Sequence, residues 1–190
     1  MEKVNDYILL VQNLMPTNLC KELIIESSKP EFKWNQHSWY HYGKDNLSSR
    51  PTKELEVVSA TQEQFQKIGK YLSKALHEYQ KKYQTQRESA GMFIKHFSHI
   101  RFNRYAVGTK MREHYDHIQS LFDGKLKGIP ILSIVGLLND NYEGGEFMIR
   151  ENEVKLTRGD ILIFPSNFMY PHKVKDITKG IRYSFVSWAF

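Results

Sequence analysis

The chain has 190 residues, of which 41% are hydrophobic, 13% aromatic and 25% charged, and it carries a net charge of +6. This composition is typical of a globular protein and excludes a disordered or collagen-like chain, and the length favours one domain over two. The single cysteine, Cys20, cannot form an intramolecular disulfide. No apolar run is long enough for a membrane span, and the first residues lack the apolar stretch of a signal peptide. We therefore expect a cytoplasmic protein that does not bind membranes.

The first half of the chain predicts two helices and a strand. A short apolar run at residues 6–12 suits a strand. Pro16 and Thr17 open a helix with Leu19, Leu23 and Ile24 on one side, and Thr17 is its expected N-cap. Residues 31–50 are aromatic and polar, which predicts a loop after a possible strand.

The segment from Thr61 to about Tyr83 is predicted to be the longer helix. Thr61 and Gln64 have the spacing of a capping box. The apolar positions that follow recur at intervals of three and four, namely Phe65, Ile68, Leu72, Ala75, Leu76 and Tyr79. The lysines of this segment fall on the polar side of the helix, so we interpret the densest basic run of the chain as a face exposed to solvent.

After Ser89 the pattern changes to short apolar or alternating segments separated by Gly, Asn, Asp and Pro. This pattern predicts strands at residues 99–105, 130–138, 146–149, 153–156, 160–164 and 181–190. Strands at this spacing without intervening helices indicate an antiparallel sandwich or barrel, with the two helices packed on its outside. Gly144 and Gly145 are interpreted as a tight turn.

His114 and Asp116 lie two residues apart in the strand-rich half, so in an extended chain their side chains share one face. The pair alone is weak evidence, because about one such pair is expected by chance in a chain with 8 histidines and 21 acidic residues. His172 follows a predicted strand further along the chain. Two neutral imidazoles and one carboxylate form the facial triad that holds iron(II) with open coordination positions.

Arg182 is the fourth residue of interest, because it lies in an otherwise apolar predicted strand. Burying a guanidinium without a partner is costly, so an anionic ligand is expected there. A guanidinium can clamp a carboxylate through two parallel hydrogen bonds. Ser184 shares the strand face of Arg182, so its hydroxyl is expected to reach the same carboxylate.

Four segments carry a family resemblance, and they occur in the order RFNRYAVGTKMREHYDH, LLNDNYEGGEF, GDILIFPSNFMYPHKV and GIRYSFVSW. Together they resemble the iron(II)- and 2-oxoglutarate-dependent dioxygenases, and within them the prolyl 4-hydroxylase-like group. The resemblance covers residues 100–190. It implies a mainly β fold, the double-stranded β-helix or jelly roll, with residues 1–98 as a helical and strand extension of a single dioxygenase domain whose catalytic core is 99–190.

The resemblance also implies roles for individual residues. His114, Asp116 and His172 would bind iron(II), and Arg182 would bind the distal carboxylate of 2-oxoglutarate. Tyr105 matches a tyrosine that lines the cosubstrate pocket. Molecular oxygen would be the second cosubstrate, with ascorbate as a supporting reductant. Some relatives carry a tyrosine where this chain has Leu137 and Leu138.

The leading prediction for the reaction is hydroxylation of prolyl residues in a peptide or protein. An oxidative demethylase of nucleic-acid bases is a second hypothesis, because the sequence pI is about 9.2 and residues 31–50 are aromatic. A jelly-roll module that binds a metal or carboxylate without turnover is a third. Tyr40, Tyr42 and Arg50 are the expected substrate contacts. The oligomeric state stays open.

Overall fold

A computed structural model of the chain describes residues 4–38, 54–83, 94, 96–116 and 130–190. The helices in these ranges are α1 (Thr17–Ser27) and α2 (Gln62–Tyr83), and a 3-10 turn covers Val4–Tyr7. The strands in the same ranges are β1 (Leu9–Val11), β2 (Asn35–Gln36), β3 (Glu56–Ser59), β4 (Arg101–Tyr105), β5 (Met111–His114), β6 (Leu132–Leu137), β7 (Tyr142–Gly144), β8 (Phe147–Ile149), β9 (Asn152–Val154), β10 (Ile161–Pro165), β11 (His172–Val174), β12 (Ile177–Gly180) and β13 (Arg182–Ala189).

The strands form two layers that face each other. The larger sheet has the order β1-β10-β6-β13-β4-β3-β2, and the smaller sheet has the order β5-β11-β8-β9. Strands β12 and β7 pair as a separate ribbon. All pairings between these strands are antiparallel. The predicted mainly β architecture of antiparallel sheets is therefore confirmed.

Strands β6 and β10 of the larger sheet are buried on both faces, and β10 shows how. Ile161 and Ile163 belong to the apolar cluster that the helices cover. Leu162 and Phe164, on the other face of the strand, belong to the cluster between the two sheets. Side chains alternate along a strand, so a strand covered on both faces has a continuous apolar run. For this reason the sequence alone predicts β10.

Helix α2 packs on the larger sheet through its apolar face. Ile68, Leu72 and Ala75 are fully buried in the same cluster as Phe102 and Phe185 of the sheet. The helix begins with the predicted capping box. The backbone N–H of Thr61 donates to Oε1 of Gln64 at 3.0 Å, and the backbone N–H of Gln64 donates to Oγ1 of Thr61 at 3.2 Å.

Helix α1 packs beside α2, but the predicted cap is wrong. Pro16 is the N-cap residue, with an extended backbone at φ −61° and ψ 141°, and Thr17 is already helical. The carbonyl of Pro16 accepts the first intrahelical bond, from the N–H of Cys20. A threonine one position inside the helix cannot cap it, because only the N-cap side chain reaches back to the free N–H groups of the first turn. Cys20 is a small buried core residue, as its place on the helix indicates.

Several short strands had no signal in the sequence. Strands β5, β7, β11 and β12 each hold three or four residues, and most of them are partly exposed. Their existence depends on pairing partners far away in the chain, which local periodicity does not encode. Within the described ranges, no helix is long and apolar enough to cross a membrane.

Candidate metal centre

Two histidines face each other across neighbouring strands of the smaller sheet. His114 ends β5, His172 begins β11, and the two residues are direct partners in the ladder. Their ring centroids lie 4.2 Å apart. Asp116, two residues beyond the end of β5, lies against both rings. Its Oδ1 is 3.5 Å from Nε2 of His114, and its Oδ2 is 3.6 Å from Nε2 of His172.

Backbone carbonyls orient both imidazoles. Nδ1 of His114 lies 2.7 Å from the carbonyl oxygen of Arg112, and Nδ1 of His172 lies 3.2 Å from that of Tyr170. A ring that donates its Nδ1–H to a carbonyl keeps the lone pair on Nε2, the form in which histidine binds metals. Burial lowers the pKa of His172 to about 4, so this ring is neutral near pH 7.

The carboxylate of Asp116 is held in its ionised form. Burial by itself would raise its pKa, but His172, His114 and Ser133 outweigh burial and keep the pKa below its usual range. Oγ of Ser133 donates to Oδ2 of Asp116 at 2.7 Å and lies 3.0 Å from Oγ of Ser166. Donor atoms of His114, Asp116 and His172 all lie within 4.8 Å of one another. Two imidazoles and an ionised carboxylate are a donor set that suits iron(II).

Arg182 lies at the start of β13, on the wall of the same cavity, and it is only 1% exposed. Its Nη1 donates to Oγ of Ser184 at 3.0 Å. Its Nε and Nη2 are buried and have no hydrogen-bond partner among the described residues. These two nitrogens form one edge of the guanidinium, which is the edge that grips a carboxylate with two parallel bonds. The buried fork therefore fits one carboxylate.

Tyr105 and Ser184 flank this fork. The guanidinium of Arg182 stacks over the Tyr105 ring, 5.0 Å from its centroid. Burial raises the pKa of Tyr105, so its hydroxyl stays protonated and able to donate. The Ser184 oxygen accepts from Arg182, which leaves the Ser184 hydrogen free to donate to a bound anion.

Gly145 makes room for the Arg182 side chain. It has a φ of +67°, and an added Cβ would lie 2.3 Å from Cδ1 of Ile177 and 3.2 Å from Cδ of Arg182. Gly144, with a φ of +77°, completes the turn that the sequence predicts. A larger residue at position 145 would collide with the chain that carries the guanidinium.

One cavity connects the histidines, Asp116 and Arg182. Apolar rings form the wall behind His172. Phe147 stacks on the imidazole with centroids 5.7 Å apart, and Phe164 meets it edge-on at 4.8 Å. These contacts keep the ring in place and limit water near it.

Further residues line the cavity although the sequence predicted no role for them, among them Arg101, Asn103 and Trp188. The alternation in β4 carries a faint signal, because Arg101 and Asn103 lie on the same strand face as Tyr105.

Glu54 is a further residue for which the sequence predicted no role. It is buried, it accepts a hydrogen bond from Nε of Arg112 at 2.6 Å, and its Oε2 lies 3.5 Å from Nδ1 of His37. This contact fixes the segment whose carbonyl orients His114.

The structure thus brings His114, Asp116, His172, Arg182, Tyr105 and Ser184 together around one cavity. Their assignment as ligands and cosubstrate contacts stays a prediction. Tyr40, Tyr42 and Arg50, the predicted substrate contacts, lie outside the described residues.

The comparisons with known proteins match this geometry. Residues 100–190 match the family model described as the 2OG-Fe(II) oxygenase superfamily. This half of the chain belongs to the 2OG-Fe(II) oxygenase superfamily. The segment holds every residue of the proposed centre, from Tyr105 at the end of β4 to Ser184 in β13.

Curated relatives of this superfamily segment include PKHD-type hydroxylases from three bacteria. The Methylobacterium nodulans protein is 34% identical over 95 residues, which cover 46% of this chain and 41% of the relative. The Idiomarina loihiensis protein is 34% identical over 98 residues, which cover 50% of this chain and 43% of the relative. The Stenotrophomonas maltophilia protein is 36% identical over 94 residues, which cover 46% of this chain and 41% of the relative. The chain spans less than half the length of these relatives.

Solved prolyl hydroxylases share the fold of the whole chain. A Pseudomonas putida prolyl-4-hydroxylase aligns with a TM-score of 0.66 at 18% identity, covering 96% of this chain and 91% of that one. A viral collagen prolyl hydroxylase from Paramecium Bursaria Chlorella virus-1, solved with 2OG, aligns with a TM-score of 0.65 at 14% identity, covering 96% and 95%. The predicted jelly roll with helices outside is therefore confirmed.

Proposed function

We propose that this protein is an iron(II)- and 2-oxoglutarate-dependent hydroxylase that acts on prolyl residues of a peptide or protein. One observation carries the proposal: a His-Asp-His cluster and a buried guanidinium fork that has no partner among the described residues line the same cavity. A metal site alone would suit many metalloproteins, and a buried arginine alone would suit any small anion. A dicarboxylate that chelates the metal at one end and meets the fork at the other accounts for both.

The residues of the centre fit an iron(II) ion. His114 and His172 would each supply Nε2, and Asp116 would supply a carboxylate oxygen, because these atoms converge and the Nδ1 positions are occupied by carbonyls. When bound, the iron and 2-oxoglutarate together use molecular oxygen to hydroxylate a C–H bond, with release of succinate and carbon dioxide. Three protein ligands leave coordination positions open for this chemistry.

The chain's own residues would bind and orient the cosubstrate. The Nε and Nη2 edge of Arg182 would hold the distal carboxylate, and Ser184 and Tyr105 would each donate a hydrogen bond nearby. Ser133 would continue to orient Asp116. Leucines at 137 and 138, where some relatives carry a tyrosine, donate no side-chain hydrogen bond. The cosubstrate would therefore depend more heavily on Arg182 and Tyr105.

The prolyl substrate is supported by the proteins that the chain resembles. The Pseudomonas putida structure is a prolyl-4-hydroxylase, and a Trichoplax adhaerens structure with a TM-score of 0.68, at 18% identity over 97% of this chain and 84% of that one, is a prolyl hydroxylase in complex with a peptide fragment. We further propose that the 190 residues act as a single dioxygenase domain. The apolar cluster that joins α1 and α2 to the larger sheet supports this.

The test combines a binding measurement with a turnover measurement. Under anaerobic conditions, iron(II) and 2-oxoglutarate added to the protein should give the visible metal-to-ligand charge-transfer absorption of the chelate. After admission of oxygen, succinate should form, and proline-containing peptides should gain the mass of one oxygen atom. His172→Ala should lose both signals, and His99→Ala, which changes a histidine that packs on Phe65 outside the centre, should retain them.

The outcomes separate the candidate functions. Charge-transfer absorption without succinate formation would indicate a binding module. Succinate formation that is stimulated by alkylated single-stranded DNA and not by any proline peptide would indicate the demethylase. Absence of the absorption in the parent protein would contradict the proposed centre itself.

A further inference from the structure

The cavity wall formed by β4 and β13 carries an arginine at each end. The strands are antiparallel, with Arg182 opposite Tyr105 and Val186 opposite Arg101. Arg101 and Arg182 are thus separated by four residues of strand, or roughly 13 Å between their backbones. Both line the cavity that holds the histidines. The proposed cosubstrate accounts for Arg182 and leaves Arg101 without a function.

Among the described residues, Arg101 has no charged hydrogen-bond partner, although Asp116 influences its charge. Its Nε donates to Oδ1 of Asn103 at 3.2 Å, and its guanidinium lies over the Trp188 ring, 5.4 Å from the ring centroid. Arg104, on the opposite face of the same strand, differs from Arg101 because its Nη2 forms a salt bridge with Oε2 of Glu56 at 2.8 Å. Among the described residues, no carboxylate forms a salt bridge with Arg101.

Trp188 adds a second donor at the same end of the cavity. The indole lines the cavity, and its Nε1 is buried without a hydrogen-bond partner in the described part of the chain. A buried N–H that lacks an acceptor costs free energy. Within the described residues, an arginine that forms no salt bridge and an indole N–H that lacks an acceptor are in contact, and together they fit a ligand that carries negative charge.

The charges around the proposed centre lead to the same conclusion. An iron(II) ion, Asp116, Arg182 and the two carboxylates of 2-oxoglutarate balance to zero when both histidines are neutral. Arg101, which is partly buried at the wall of the same cavity and whose charge Asp116 influences, then adds one positive charge beyond this balance. Such a charge is costly unless it is paired. One further carboxylate would neutralise it.

We infer that Arg101 and Trp188 bind a carboxylate of the substrate, so that the preferred substrate is acidic next to the carbon that is hydroxylated. This inference rests on the proposed function. The carboxylate comes either from the target residue itself, as a free or C-terminal residue, or from an acidic side chain beside it. The chemistry of recognition is the same in both cases, and Asn103 positions Arg101 for it.

The experiment measures binding to the anaerobic protein loaded with iron(II) and 2-oxoglutarate, by calorimetry and by the change in charge-transfer absorption. N-acetyl-proline is compared with N-acetyl-prolinamide, and the capped dipeptide Pro-Glu is compared with Pro-Gln. At least one carboxylate probe should bind roughly 10- to 100-fold more tightly than its amide partner. The pair that shows the difference identifies the source of the carboxylate.

Substitutions then test whether Arg101 is the residue that recognises the carboxylate. Arg101→Met should remove the preference for the carboxylate while the charge-transfer absorption and the substrate-independent formation of succinate persist. Arg101→Lys should restore part of the preference, because the charge returns without the planar fork. Arg104→Met, on the opposite face of the same strand, should leave the preference unchanged.

Two results would overturn the assignment. The first is equal binding of acid and amide probes, or binding of neither, in a parent protein that shows the charge-transfer absorption. The second is a preference that survives in Arg101→Met. Absence of the absorption in the parent protein is a different result: it would refute the proposed function, and the assignment of Arg101 with it.

Discussion

Alternate residues of β4 and β13 face opposite sides of the larger sheet, and the two faces serve different purposes. On the face that the helices cover, Phe102 and Phe185 are fully buried in an apolar cluster. On the face toward the smaller sheet, Arg182, Ser184 and Asn103 are buried as well, yet they are polar. Burying apolar area stabilises a fold, whereas burying a guanidinium with two unused donors does not. The comparison indicates that one face maintains the fold and the other is kept for ligands.

The largest expected effect is a loss of stability caused by a substitution on the apolar face. Phe185→Ala removes a fully buried ring from the cluster beneath α2. We expect the free energy of unfolding of the metal-free protein to fall by about 3–5 kcal/mol, measured by urea denaturation. The affinity of the remaining folded protein for 2-oxoglutarate should hardly change. A loss of cosubstrate binding at unchanged stability would contradict the division between the faces.

Arg182→Met should have the opposite effect to Phe185→Ala, because it should lower the affinity for the cosubstrate and leave the stability intact. The affinity for 2-oxoglutarate, followed by anaerobic charge-transfer titration, should fall roughly 30-fold to more than 1,000-fold because the carboxylate loses its charged partner. The free energy of unfolding should stay the same or rise, because an apolar side chain of similar length replaces a buried charge that forms no salt bridge in the described part of the chain. Arg182→Lys is the matched control and should recover only part of the affinity. A large loss of stability in Arg182→Met would contradict the prediction.

A smaller effect is expected at Ser133, which donates to Asp116. Ser133→Ala should weaken iron(II) binding roughly 10- to 100-fold, because the carboxylate loses the group that orients it. Competition with a chelator of known affinity measures this. Ser187→Ala serves as control, since Ser187 is buried on the helix side of the sheet and bonds to Ser98. Equal iron affinity in both variants would refute the role of Ser133.

The smallest effect is expected far from the cavity. Thr61→Ala removes the capping box of α2 and should lower the free energy of unfolding by about 1 kcal/mol. Iron and 2-oxoglutarate affinities should not change. Thermal denaturation followed by circular dichroism gives the first value, and the anaerobic titration gives the second. A shift in cosubstrate affinity would indicate that the helix layer is coupled to the cavity.

Much of the fold could be predicted because its elements are covered on defined faces. Helix α2 has a wide apolar stripe and a capping box, and β10 and β6 are buried on both faces, so their side chains identify them locally. Thr17 has the residue type of a cap, but Pro16 occupies that position. Strands such as β7 and β12 could not be predicted, because their residues are largely polar and their pairing supplies the structure.

The residues of the site also divide into those that the sequence predicted and those that it did not. The triad and Arg182 could be predicted from motifs that occur in a fixed order. Arg101, Asn103, Trp188 and Glu54 were assigned no role from the sequence, because an arginine that packs over a tryptophan has meaning only when β4 and β13 are paired. Glu54 likewise contacts Arg112 and His37, which lie far from it in the sequence.

By itself, the sequence determined the helices, the main strands, the family and the chemical types available for a metal centre. Those properties depend on residue type and local spacing, which a linear chain displays directly. Only the tertiary structure decided that β11 pairs with β5, so that His172 lies opposite His114, and that two arginines share one cavity with different partners. Such contacts join residues that are dozens of positions apart, and their energies depend on burial and on neighbours that exist only once the sheets have assembled.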